Sequence, residues 1–109
     1  MIKTLTFLRR KPGLSKEEFL RHWLEIHGPL ATRVVPGMRK YVQSHPVPGF
    51  ESDIDGIVEL WWDDVSSFNA YLAWRQTEAS KVLREDEEKF VDTRRWVRFV
   101  AQEHLIVEK

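Results

Sequence analysis

Hydrophobic positions along the chain change period several times, and each change predicts an element. From Ile2 to Arg9 apolar and polar residues alternate among strand formers, which predicts a first β-strand. Lys11-Pro12-Gly13-Leu14 predicts a turn, and Ser15 with Glu18 forms a capping box that starts a helix. In that helix Phe19, Trp23, Ile26, Leu30 and Val34 fall on one stripe at about 100° per residue, flanked by Leu20, Leu24 and Ala31. Pro36-Gly37 ends it near Val35. Met38 to His45 reads as a second strand, Pro46 to Asp55 as a surface loop, and Gly56 to Trp62 as a third strand. Asp63 or Asp64 caps a second helix through Phe68, Tyr71 and Leu72, with helical character resuming from Thr77 to Leu83. Glu87 to Asp92 reads as a short helical turn or a loop, and Trp96 to Val107 as a long fourth strand. The order βαββαβ predicts an α+β, ferredoxin-like sandwich with a four-stranded antiparallel sheet, as one domain over 1–109.

Such a fold covers one sheet face with helices and leaves the other bare, yet here the second face is not polar. In the fourth strand Val97, Phe99, Ala101, Leu105 and Val107 alternate with Trp96, Val100 and Ile106. The third strand is apolar on both sides except at Glu59. A sheet wet on one side alternates more cleanly, so the extra apolar face predicts a homodimer.

Composition narrows the function. With 17 basic and 17 acidic residues the formal net charge is zero, and no basic patch suited to phosphates is present, so nucleic acid is not an expected partner. Thr93 to Arg98 is Arg-rich but short, and the acidic run Glu85 to Glu88 balances it. The chain has no cysteine, which removes disulfides, thiolate nucleophiles and Cys-based metal sites. No apolar run has membrane-spanning length and the N-terminus lacks a signal-peptide pattern, so the expectation is a cytoplasmic protein without membrane contact. Five Trp, six Phe and two Tyr exceed what so small a core needs, and they predict a hydrophobic pocket or an interface.

The residue that stands out chemically is His27, which projects from the apolar arc of the first helix, whereas His22 falls on the polar side with Arg21 and Glu25. Pro29 has no N–H for the Glu25 carbonyl and crowds it, so the helix is expected to kink or break just past His27 and leave a gap beside the ring. His27 is therefore either a core histidine bonded to a neighbouring carbonyl or a pocket histidine acting as acid, base or hydrogen-bond partner. On the second strand Arg39, Tyr41, Gln43 and His45 share a face, so Tyr41 can supply a phenol to the same cleft, or can simply be a half-buried strand aromatic. Glu59 is either paired with Arg39 or Arg98 across the sheet or lies in the pocket and orients His27. Trp23, Trp61 or Trp62, and Phe68 are the expected pocket walls. His22 and His27 are five residues apart and expected on different sides, so a shared metal ion is not predicted. No glycine-rich phosphate loop or nucleophile elbow is present, and no cofactor is required. The loop Glu51 to Asp55 is the expected lid.

Arg9 to Ser15, Glu18-Phe19 and Trp23 to Leu30 resemble the opening of EthD-family proteins. Pro36 to Val42 resembles that family's second strand and Gly56 to Asp63 its third. Asp86-Glu87, Phe90 to Asp92 and Glu103-His104 are similar to its C-terminal portion. The resemblance covers nearly the whole chain and implies a dimeric α+β barrel with His27 in a pocket between helices and sheet and Tyr41 near it. It also implies relatives that are lactone isomerases or cofactor-free enzymes decarboxylating or oxidising anthrone-type polyketides. Isomerases that rely on a cysteine are not matched, because this chain has none. The reading is a cofactor-independent lyase, isomerase or oxygenase of a hydrophobic cyclic, aromatic or lactone-type compound, with His27 as acid/base, Tyr41 as donor and Glu59 as orienter. The alternatives are a non-catalytic ligand-binding or accessory protein of an oxidative pathway, and a haem-binding α+β barrel.

Overall fold

A computed structural model describes residues Met1 to Lys109. Strand β1 (Ile2–Leu8) leads through the turn at Gly13 into α1 (Lys16–His22). The Ser15 capping box is formed in both directions. A π-helical stretch, Trp23–His27, joins α1 directly to α2 (Gly28–Val34). Then follow β2 (Lys40–Ser44), β3 (Gly56–Trp62), α3 (Val65–Trp74), α4 (Lys81–Phe90) and β4 (Val97–Ala101). The sheet order is β2-β3-β1-β4 with every pair antiparallel, the ferredoxin-like arrangement that the element order predicts.

Two departures from the sequence expectation have physical causes. The fourth strand stops at Ala101 rather than Val107, because Ala101 lies opposite Lys3 and β1 has almost no residues left to pair with it. Leu105, Ile106 and Val107 therefore stand exposed. The first helix does not break at Pro29. It widens by one residue per turn just before it, with the Gly28 N–H reaching back five residues to the Trp23 carbonyl. A regular α-turn would press the Pro29 ring on the Glu25 carbonyl, and the wider turn relieves that contact while keeping the helix continuous.

The widened turn changes what the helix buries. Phe19, Trp23, His27 and Ala31, spaced four apart, are buried, while Leu24 and Ile26 are exposed. At 3.6 residues per turn a spacing of four drifts sideways; the π stretch cancels the drift and keeps this stripe facing the sheet.

The apolar interior is in two pieces. Leu8, Phe19, Trp23, Phe90 and Val91 form one cluster, and Trp62, Phe68 and Tyr71 the other. Between them Thr4 and Thr6 point up from the middle of β1, nearly fully buried. Two hydroxyls under the helices interrupt the packing, and the space above them is a cavity. Burying side chains as large as Trp23 and Phe19 supplies much of the stability, since truncating such a residue to Ala typically costs about 3–5 kcal/mol. Gly56 is essential to that packing, because a Cβ there would overlap the Trp23 ring at Cζ3 and Cη2.

Candidate active site

Helical geometry decides which groups meet. His22 and His27 are five apart, a spacing that a regular α-helix turns to different sides. In a π turn residues five apart come round to the same side of the helix. Both imidazoles consequently reach one carboxylate, that of Asp86 on α4. His27 Nδ1 lies 2.9 Å from Asp86 Oδ2, and His22 Nε2 lies 3.0 and 3.1 Å from the two oxygens. This corrects the expectation that His22 sits on the polar side. Phe90, one turn along α4, packs on both rings, with centroids 4.7 Å from His22 and 4.9 Å from His27.

Burial pushes the His27 pKa below the usual histidine value, and the hydrogen bond to Asp86, which works the other way, does not outweigh it. The ring is therefore neutral at neutral pH. A carboxylate only accepts, so Nδ1 carries the proton that Asp86 holds, and Nε2 keeps its lone pair. Thus a neutral base is fixed in rotation and tautomer by a buried anion.

His27 lines a cavity between the helices and the sheet, together with Trp23, Tyr41, Leu83, Phe90 and Trp96 among others. It encloses about 620 Å³ of atom-free space including its mouth, of which about 60 Å³ admits the centre of a water molecule. That is a narrow slot, suited to a flat, mainly apolar molecule. Tyr41 reaches it from β2. Gln43 Nε2 donates to the Tyr41 hydroxyl oxygen at 3.0 Å and to the Trp23 carbonyl at 2.9 Å, which leaves the phenolic O–H free to donate. Burial pushes the Tyr41 pKa up, so the phenol stays protonated. At the far wall Arg75 grips Glu87 through two bonds of 2.7 and 2.9 Å and donates to the Tyr71 hydroxyl at 3.1 Å.

The remaining sequence-nominated residues separate by face. Trp23 lines the cavity. Trp62 and Phe68 are on the same side of the sheet but belong to the second apolar cluster, with the Trp62 N–H directed at Thr4 Oγ1. Glu59 and Trp61 lie on the opposite face, since they alternate with Leu60 and Trp62 along β3. There Glu59 pairs with Lys3 at 2.7 Å, not with Arg39 or Arg98, and so does not orient His27. Lys3 also meets Glu103, which accepts from the Trp61 indole. The Glu51 to Asp55 loop is not over the cavity either. It lines a separate surface groove with Lys16 and Leu20, and Asp53 and Asp55 tie it to Arg9 and Arg10.

Asp86 and Glu87 are the site residues that sequence reasoning missed, because the run Glu85 to Glu88 reads as the charge balance of the Arg-rich stretch Thr93 to Arg98. The signal was in the periodicity. Leu83, Asp86, Glu87 and Phe90 sit at i, i+3, i+4 and i+7, the inward stripe of α4, and all four are buried. Two carboxylates on an apolar stripe must find partners, and His22, His27 and Arg75 are those partners.

The family model described as EthD domain matches residues 11–94. Among curated proteins no sequence match is found. An EthD family protein from Bacillus halodurans C-125 is 26% identical, with a TM-score of 0.68 over 95% of this chain and 100% of that one. A protein from Thermobifida fusca YX described as dimeric and ferredoxin-like superposes with a TM-score of 0.66 at 13% identity, covering 93% of this chain and 90% of that one. SnoaB from Streptomyces nogalater, described as a cofactor-independent oxygenase, superposes with a TM-score of 0.64 at 9% identity, over 99% and 97% of the two chains.

Proposed function

The chain belongs to the EthD domain family, and from that membership and the geometry around His27 we propose a small cofactor-independent enzyme of the lyase, isomerase or oxygenase class. Its substrate on this reading is a hydrophobic cyclic, aromatic or lactone-type compound. The observation that carries the proposal is a buried, neutral imidazole locked by Asp86 with its free nitrogen beside an apolar slot. A core histidine needs a partner for its N–H, but it needs no second histidine on the same carboxylate and no cavity at its side. The description of SnoaB as a cofactor-independent oxygenase on the same fold supports the class.

The shared first step of these reactions is removal of a proton from a C–H or O–H made acidic by a neighbouring carbonyl or ring. His27 Nε2 takes that proton. The imidazolium that forms is opposed by burial and compensated by Asp86, which sits 2.9 Å from the Nδ1–H. Tyr41 donates its O–H to the oxygen on which negative charge develops. Glu59, on the outer face, has no part in this scheme.

The same reading includes a homodimer. The outer sheet face carries Leu5, Phe7, Val42, Ile57, Val97 and Phe99, of which Val97 and Phe99 are more than half exposed. An obligate interface of this kind typically buries more than ~2,000 Å². Light scattering at micromolar concentration is expected to give twice the chain mass, and a stable monomer contradicts the dimer.

His27→Asn tests the catalytic role. Asn keeps polarity and cannot titrate. Tryptophan-fluorescence quenching by a panel of hydrophobic cyclic compounds finds a ligand for the wild type, and thermal unfolding reports the fold. The expected result is weaker binding, with turnover of any substrate reduced about 10²–10⁴-fold. A large drop in thermal midpoint with binding unchanged would return His27 to the core.

A further inference from the structure

Accepting the cavity as the ligand site proposed above, we infer that its ligand carries a carboxylate, separate from the oxygen that Tyr41 meets, and that Trp96 and Arg98 receive it. Trp96 Nε1 is the one buried side-chain nitrogen or oxygen in the protein without a hydrogen-bond partner. Native structures rarely leave such a donor unmet. The indole lines the cavity, and the Arg75 guanidinium lies against its ring at 5.2 Å, so the ring is held where it is.

Arg98 follows two residues later, on the same side of the strand, and also lines the cavity. Its Cα partner across the sheet is that of Thr6, which lies under the cavity floor. The guanidinium rests 5.8 Å from the Phe68 ring. No carboxylate neutralises it. Glu87 is taken by Arg75, and Asp92 by Arg94 and Arg95.

Trp96 and Arg98 are donors only, and one of them is a permanent cation. They accept nothing, so they select an oxygen with lone pairs and a negative charge, and they reject ammonium groups. A flat apolar body fits the rest of the slot. The strand order sets the scale. Tyr41 is on β2 and Arg98 on β4, at opposite edges of the sheet and three inter-strand spacings apart, about 14 Å between backbones. Both side chains reach inward from those edges, so a two-ring ligand spans the gap. Its anionic oxygen then sits at the β4 edge, with the rings extending toward Tyr41 and His27.

The test uses 2-naphthoate and its neutral isostere 2-naphthamide, titrated calorimetrically into the wild type, Arg98→Gln and Trp96→Phe. Arg98 is exposed, so its replacement leaves the fold intact; circular dichroism checks the Trp96 variant. The wild type is expected to prefer naphthoate about tenfold or more, as charge-assisted hydrogen bonds do. Arg98→Gln should reduce that preference to about twofold without weakening naphthamide, and Trp96→Phe should weaken naphthoate several-fold. Equal affinity for the two probes in the wild type, or a preference that survives Arg98→Gln, overturns the inference and leaves the cavity as a ligand site. Binding of neither probe overturns the inference together with the reading on which it rests.

Discussion

Replacing Asp86 by Asn removes one charge and changes almost no volume. In the wild type the carboxylate receives His27 at 2.9 Å and His22 at 3.0 Å, with about 6% of its side chain exposed. Hydrogen bonds to a charged group contribute about 1.5–3 kcal/mol and neutral ones about 0.5–1.5. Two bonds each weakened by roughly 1 kcal/mol give a loss of about 2 kcal/mol. With a urea dependence of about 1–3 kcal/mol per molar for a small domain, the midpoint should fall by roughly 1 M. The histidine responds as well. Asp86 raises the His27 pKa against burial, so the Asn variant should titrate lower than the wild type. Urea unfolding monitored by circular dichroism gives the first quantity, and NMR titration of the His27 ring protons the second. A midpoint within 0.2 M of wild type (roughly the scatter expected of such fits), combined with an unchanged or raised His27 pKa, would refute the coupling of the two residues.

Three other outcomes follow from the packing and charge. Glu87→Gln leaves the buried Arg75 guanidinium without its anion and should cost about 3–5 kcal/mol in urea unfolding, whereas a loss under 1 kcal/mol would mean the pair is not desolvated as its geometry indicates. Gly56→Ala forces a methyl into the Trp23 ring and should cost about 1–3 kcal/mol, with tryptophan emission altered; an unperturbed spectrum and midpoint would contradict that contact. Burial lowers the pKa of both His27 and His45 in the folded chain, so just below pH 6.5 the unfolded chain binds more protons than the folded one. Stability is therefore full above about pH 6.5 and falls as pH drops through that value toward the lower folded pKa values, and a urea midpoint higher at pH 5.5 than at pH 7.5 would show the sign to be wrong.

The layers of the fold are legible in the sequence because they depend on period. Alternation marks β1, an apolar run between Gly56 and Asp63 marks β3 with the limits expected, and the capping box marks the start of α1. The site is legible only in part. His27 stands out as a polar group on the apolar arc of its helix, and Tyr41 as a phenol on a strand face that the helix can pack against. Their partners do not stand out, since an α-helical wheel is the wrong ruler for Trp23 to His27. Once the turn widens, His22 swings round to share Asp86 with His27. Glu59 shows the converse failure. A carboxylate in a central strand demands a partner, but alternation alone does not tell which face is covered by helices, and the outer face supplied Lys3.

On the function proposed above, His27 presents an unprotonated Nε2 to the cavity while Asp86 holds its Nδ1–H. Long-range ¹H–¹⁵N correlation of the imidazoles, on wild-type protein at pH 7.5, reads this tautomer directly. The expected spectrum is that of a neutral His27 ring with its proton on Nδ1, whose Nε2 resonance moves when 2-naphthoate or a quenching ligand from the panel is added. A ring protonated on Nε2, or on both nitrogens, at that pH would contradict it.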